Sequence, residues 1–192
     1  MAMTGSRMLA LGTVAPDFAL PDAVSGQVCT LAQCAGVHGL LVAFICNHCP
    51  YVLHILDALV QFAHDYRPRG LHTVGISAND IASHPQDAPP QMQQLALARK
   101  FGFPYLYDES QQTARAYQAA CTPDLFLFDA HRHLVYRGQF DASRPRSSVP
   151  VTGRDLRAAA DALLAGLPVP AVQIASVGCN IKWKAGNEPA GA

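Results

Sequence analysis

The chain has 192 residues, is 50% hydrophobic and 15% charged, and sets Lys+Arg 14 against Asp+Glu 14. A length in the usual range of one domain buries roughly 70% of its unfolded surface without covalent staples. A net charge of zero offers no field for a phosphate backbone or an anionic bilayer, so the expected partner is a small molecule or a protein, not nucleic acid or membrane.

Along the chain, residues 8–11 form an apolar run that Gly12, Pro16 and Asp17 cut short of the ~7–15 residues of a secretory core. A cytoplasmic protein is the expectation, and in a reducing compartment its six cysteines read as redox, metal or buried thiols rather than a disulfide framework. Residues 28–31 suggest a weak strand. Residues 40–45, all apolar after Gly39, read as a central strand buried on both faces. They lie within a stretch, residues 23–56, that has no charged side chain and holds four of the cysteines; its longest apolar run falls far short of the ~20 residues that span a bilayer. Val52, Ile55, Leu56, Leu59, Val60 and Ala63 recur at helical spacing, which predicts a helix over 51–66 closed by Pro68 and Gly70.

Residues 71–77 read as a second strand, the Pro/Asp-rich stretch 84–90 as a connection, and 92–101 as a helix ended by Gly102 and Pro104. A short strand over 105–107, a helix over 111–120, two strands over 125–128 and 134–138, and an amphipathic helix over 155–165 stopped by Gly166 follow. Beyond Pro168 the tail, about 168–192, reads as irregular, and no composition break divides the chain into domains. This order predicts one α/β domain, a mixed sheet with a parallel segment, antiparallel strands at one edge and helices on both faces. Functional groups in such sheets lie beyond the C-terminal ends of the parallel strands, where Cys46 falls.

Cys46, Asn47, His48 and Cys49 form a C-x-x-C between the central strand and the helix. Two intervening residues let the thiols share one helical turn, and the free N–H groups there favour a thiolate, expected at Cys46. Asn47 is the expected N-cap, and Pro50 suits the first turn. No Lys or Arg is nearby in sequence, so His48 and the helix terminus must tune the pair. The competing reading is a four-thiolate zinc site of Cys29, Cys34, Cys46 and Cys49, whose spacings are acceptable for that metal. Cys29 and Cys34 otherwise read as packed thiols, and among the histidines only His131-x-His133 has a metal-like spacing.

Residues 40–49 together with Cys121, Thr122 and Pro123 resemble the thioredoxin superfamily. The opening stretch from Gly12 to Phe18, with Leu20, Pro21 and Asp22, resembles the redoxin and peroxiredoxin (AhpC/TSA-type) branch. Asn47-His48-Cys49-Pro50, Cys121-Thr122-Pro123-Asp124, residues 141–145 and Gly178-Cys179-Asn180-Ile181-Lys182-Trp183 resemble a peroxiredoxin-like thioredoxin group over nearly the whole chain. The resemblance implies a thioredoxin-like fold with an N-terminal redoxin-type extension, and no cofactor. It further implies thiol–disulfide exchange with Cys46 attacking and Cys49 resolving, and a cis Pro123 whose loop, through Thr122, receives a substrate chain by strand addition. The partners implied are protein disulfides or dithiols, or a thiol reductant.

A His before the second cysteine resembles disulfide isomerases and oxidases, implying a potential above thioredoxin's roughly −270 mV. Peroxiredoxins place Thr or Ser three residues before the peroxidatic cysteine. Here that position is Ala43 or Cys46, so peroxide reduction, with Cys46 or Cys49 as the peroxidatic thiol, is the alternative, and a non-catalytic binding module on the same fold is a third reading. Cys121 and Cys179 are candidate additional redox thiols, Cys179 being either a resolving thiol or part of a packed tail. The strand 40–45 holds no acid to take the proton of the second thiol, and the sequence identifies no substitute.

Overall fold

The apolar run after Gly39 becomes the centre of a sheet. The computed structural model describes residues 3–189. It begins with β1 (Met3–Gly5), β2 (Ala19–Pro21), β3 (Val28–Thr30), α1 (Leu31–Cys34) and β4 (Gly39–Phe44). Next come α2 (Pro50–Tyr66), a 3-10 turn (Arg67–Arg69), β5 (Leu71–Ser77), a second 3-10 turn (Pro85–Asp87), α3 (Pro89–Ala98) and β6 (Tyr105–Tyr107). The chain closes with α4 (Gln112–Ala116), β7 (Cys121–Thr122), β8 (Asp124–Asp129), β9 (Leu134–Arg137), α5 (Arg154–Leu164) and β10 (Val177–Asn180).

The main sheet has the order β6-β5-β4-β8-β9. β4, β5 and β6 are parallel, while β8 and β9 run antiparallel beside β4, which is the mixed sheet read from the sequence. Successive side chains of a strand point to opposite faces. Leu41, Ala43 and Ile45 therefore enter one core with α2 and α5, while Leu40, Val42 and Phe44 enter another with α1, α4 and the N-terminal segment. Helical cover on both faces explains why this strand carries no polar residue.

Helix α2 buries Val52, Ile55, Leu56, Leu59, Phe62 and Ala63 against β4 and β5, and each large side chain contributes roughly 1.5–3 kcal/mol relative to exposure. The same packing fixes the start of α2, and with it the C-x-x-C.

Several boundaries differ from the sequence reading, and β1, β2, α1 and β7 were not read from it; three differences stand out. α3 starts at Pro89, because proline costs nothing in a first turn whose N–H groups have no partner. α4 stops at Ala116: Tyr117 turns inward, its hydroxyl donating to Pro16 O at 2.9 Å, and Gln118 adopts φ 52. The tail is not irregular throughout. β10 lies between β1 and β7 in a second, three-stranded sheet, with Met3 opposite Cys179 and Cys179 opposite Thr122. Among the described residues no helix is long and apolar enough to cross a membrane.

Candidate active site

The C-x-x-C leaves the C-terminal edge of β4 and enters α2. Cys49 is the N-cap and Pro50 occupies the first turn. Asn47, the expected cap, is used elsewhere. Its backbone N–H donates to Asp87 Oδ1 at 2.8 Å, its Nδ2 donates to Gln86 O at 2.8 Å, and its Oδ1 accepts from Tyr105 Oη at 3.1 Å. Facing the motif, the Thr122–Pro123 peptide is cis, as the resemblance implied. Thr122 stands between the two sulfurs. Its hydroxyl is 3.4 Å from Cys46 Sγ, and its carbonyl oxygen accepts from Cys49 Sγ at 3.0 Å.

An acid does lie beside the motif, but on the His48 side and not at Cys49: Asp87, fully buried in the second 3-10 turn. Its Oδ2 accepts from His48 Nδ1 at 2.7 Å and from Asn79 Nδ2 at 2.8 Å. His48 Nδ1 is also 4.0 Å from Cys46 Sγ, and its ring stacks on His84 with centroids 5.2 Å apart. The network continues into the tail, since Asn79 Oδ1 accepts from the Lys182 backbone N–H at 2.8 Å. Cys46, His48 and Asp87 offer donor atoms within 4.8 Å of one another, a spacing a metal ion can use. In this structure Nδ1 donates to Asp87, whose oxygens also accept from Asn47 and Asn79.

The two thiols are both buried. The bond to Cys49, burial and the Asp87 carboxylate push Cys46 up, while Thr122 pulls it down. Hydrogen bonds from Cys46 and Cys179, with the Val52 N–H and Thr122, hold Cys49 below the ordinary thiol value. The Val52 N–H makes no capping bond of normal geometry to Cys49, so its influence is electrostatic. Against that field stands the Thr122 carbonyl, because an oxygen 3.0 Å from sulfur accepts from a thiol and repels a thiolate. That carbonyl favours a proton on Cys49 and charge on Cys46, against the net direction set by the other hydrogen bonds to the pair.

The remaining cysteines separate cleanly. None of the six is joined in a disulfide. Cys34 packs in the core on the opposite face of the sheet from Cys46 and Cys49, with Cys29 against that core, and the four do not come together as ligands, so the four-thiolate zinc site is not assembled. Cys121 is buried, with its thiol toward Pro123 O and Ser176 O, and burial pushes it up. Cys179 is buried in the same cluster as Cys46 and Cys49. Burial and its bond to Cys49 push it up to about 12. The strand edge expected to receive substrate at Thr122 and Pro123 is occupied, because β10 already pairs with it. Asp141, Ser143, Arg144 and Pro145 line a cleft beside Pro123, where His54 Nε2 is 2.7 Å from Ser143 Oγ.

Asp87 and Asn79 went unseen because they lie some forty and thirty residues from the motif in segments that read as connections. The only available signal was an acidic residue amid the Pro-rich stretch 84–90, where solvent exposure is the default.

A C-x-x-C at the head of a helix that follows a central strand, facing a cis-proline loop, defines a redoxin-type protein of thioredoxin-like fold. The model of the AhpC/TSA family matches residues 11–137, and the chain belongs to that family. An uncharacterized conserved protein from Geobacillus kaustophilus is 48% identical, with a TM-score of 0.95 over 96% of this chain and 98% of that one. A hypothetical protein from Sinorhizobium meliloti 1021 is 51% identical, with a TM-score of 0.93 over 95% and 100%. Peroxidoxin BcpB from Mycobacterium tuberculosis is similar in fold alone, at 18% identity and a TM-score of 0.61 over 81% and 96%. Among curated proteins, none matches the sequence.

Proposed function

We propose that the protein is a thiol–disulfide oxidoreductase whose dithiol/disulfide couple is Cys46 and Cys49. The observation that supports this most directly is the placement of Thr122, with a hydroxyl toward Cys46 and a carbonyl toward Cys49. One residue thus favours charge on the first sulfur and a proton on the second. The Cys46 thiolate attacks a substrate disulfide, forms a mixed disulfide and expels one substrate thiolate. Cys49 then attacks Cys46 Sγ, which closes the Cys46–Cys49 bond and breaks the mixed disulfide, the departing substrate sulfur taking up the proton that Cys49 gives. His48, oriented by Asp87, positions a polarisable ring beside the reacting sulfur. With the Thr122 edge occupied, the substrate in this reading is a small disulfide or thiol rather than an added strand.

Titration of the purified protein against a glutathione redox buffer tests this, with the linked peptides mapped. The expected product is a Cys46–Cys49 disulfide, absent from Cys46→Ser and Cys49→Ser, and failure of the wild type to form it overturns the proposal. A second reading, reduction of peroxide at Cys49, draws on the contacts that lower that thiol. Peroxide consumption that survives Cys46→Ser and vanishes in Cys49→Ser would put this reading first.

A further inference from the structure

The edge that a thioredoxin fold leaves open at its cis-proline loop is here filled from within. β10 pairs antiparallel with β7, Cys179 opposite Thr122 and Asn180 opposite Cys121. Residues directly opposite each other in an antiparallel pair project to the same face. Cys179 therefore shares the face of Thr122, where Cys46 and Cys49 lie, and Cys121 takes the other. Consistent with this, Cys179 joins the buried cluster of Cys46 and Cys49 while the Cys121 thiol turns to Pro123 O and Ser176 O.

The seat is built for close approach. A Cβ at position 178 would collide with the Thr122 carbonyl, so the glycine lets β10 reach the loop. β1 holds the other edge of β10. Beyond it, Ile181 N–H donates to Ala120 O at 3.1 Å, and Lys182 N–H donates to Asn79 Oδ1, the residue that also holds Asp87. The segment is thereby tied to both sides of the dithiol.

We propose that β10 is a built-in substrate strand and that Cys179 is the third thiol of the couple. The inference rests on the Cys46–Cys49 couple proposed above. Once that disulfide exists, the Cys179 thiolate attacks Cys49 Sγ. The Cys49–Cys179 bond forms, the Cys46–Cys49 bond breaks, and Cys46 leaves as a thiolate that takes up the proton released from Cys179. No external oxidant enters this step. The disulfide moves inward, and Cys46 is free to react again while the chain is still oxidised.

The test uses the full-length protein equilibrated with oxidised glutathione, quenched with an alkylating reagent and mapped by mass spectrometry. The expected wild-type product is a mixture of Cys46–Cys49 and Cys49–Cys179 linkages, with Cys46 alkylated in the second species. Cys46→Ser should carry the Cys49–Cys179 disulfide alone, and Cys179→Ser the Cys46–Cys49 disulfide alone. If Cys46→Ser yields only a glutathione adduct on Cys49 or stays reduced, and no wild-type species shows Cys46 alkylated with Cys49 linked to Cys179, the proposal is overturned. The two readings fail separately: loss of the Cys46–Cys49 linkage from wild type strikes the couple itself, whereas its presence without any Cys179 linkage strikes only the third thiol. The wild-type measurement stands even if a variant does not fold.

Discussion

The chain holds two close cysteine pairs, one on each side of the central sheet, and their surroundings differ. Cys29 and Cys34 bracket the short helix α1, and Cys46 and Cys49 bracket the turn into α2. Each pair lies near a buried carboxylate, Asp22 for the first and Asp87 for the second. Around Cys34, burial, Cys29 and Asp22 all push the thiol up, to about 12, and no group pulls it down. Around the second pair, a hydroxyl, a neighbouring thiol and a helix terminus oppose the same burial. Proximity of two thiols and an acid is common to both pairs; donors that stabilise a thiolate are found at the second, and they are what the proposed couple depends on.

The strongest test of that contrast is deletion. Replacing Cys46 or Cys49 by Ser should lower the rate of catalysed disulfide exchange at least about a thousandfold, as expected for loss of a nucleophile, even though Cys46→Ser should still reach a Cys49–Cys179 disulfide at equilibrium. Cys29→Ser and Cys34→Ser should leave it within about twofold. An assay of glutathione-disulfide or insulin reduction on all four variants checks this, and equal losses on both sides of the sheet would erase the comparison.

A second test concerns the buried acid beside the cis-proline loop. Burial raises Asp124 to about 7, so the folded state binds its proton more tightly than the unfolded chain does. Its contribution to stability is complete below the unfolded value near 3.8 and is lost as pH rises through about 7. That loss is on the order of a few kcal/mol. Denaturant midpoints measured from pH 4 to 8 should fall more steeply for wild type than for Asp124→Asn.

Asp87→Asn probes the other carboxylate. It removes an acceptor shared by Asn47, His48 and Asn79 and should destabilise the fold by about 1–3 kcal/mol. Because Asp87 opposes charge on Cys46, its removal should also move the midpoint of Cys46 alkylation to lower pH. A change in stability without that shift would reduce Asp87 to a packing role. The smallest effect is expected at Cys34→Ala, about 1 kcal/mol of stability and no change in redox behaviour, read from thermal unfolding beside a glutathione titration.

Much of this was legible in advance where local signals were strong. The all-apolar β4, the helical spacing of α2 and the C-x-x-C between them are contiguous features, and the position of Pro123 followed from resemblance. What escaped depends on long-range pairing. β10 has a glycine, a cysteine and an asparagine in four residues, none favouring a strand, and it exists because β1 and β7 supply both edges. Asp87 reads as a solvated turn residue and is buried only because the turn folds over Asn47 and His48. Asn47 reads as a cap, yet tertiary partners claim its backbone and side chain, leaving the cap position to Cys49.

The seating of β10 also imposes an order in time. Synthesis proceeds from the N-terminus, so a growing chain displays Cys46 and Cys49 well before Cys179 has been made. Its docking then closes one of the longest loops in the molecule, with Met3 opposite Cys179, a step whose entropic cost grows only slowly with length. Until that closure the nascent dithiol faces the surrounding thiols and disulfides with its strand edge open; afterwards the edge is shut.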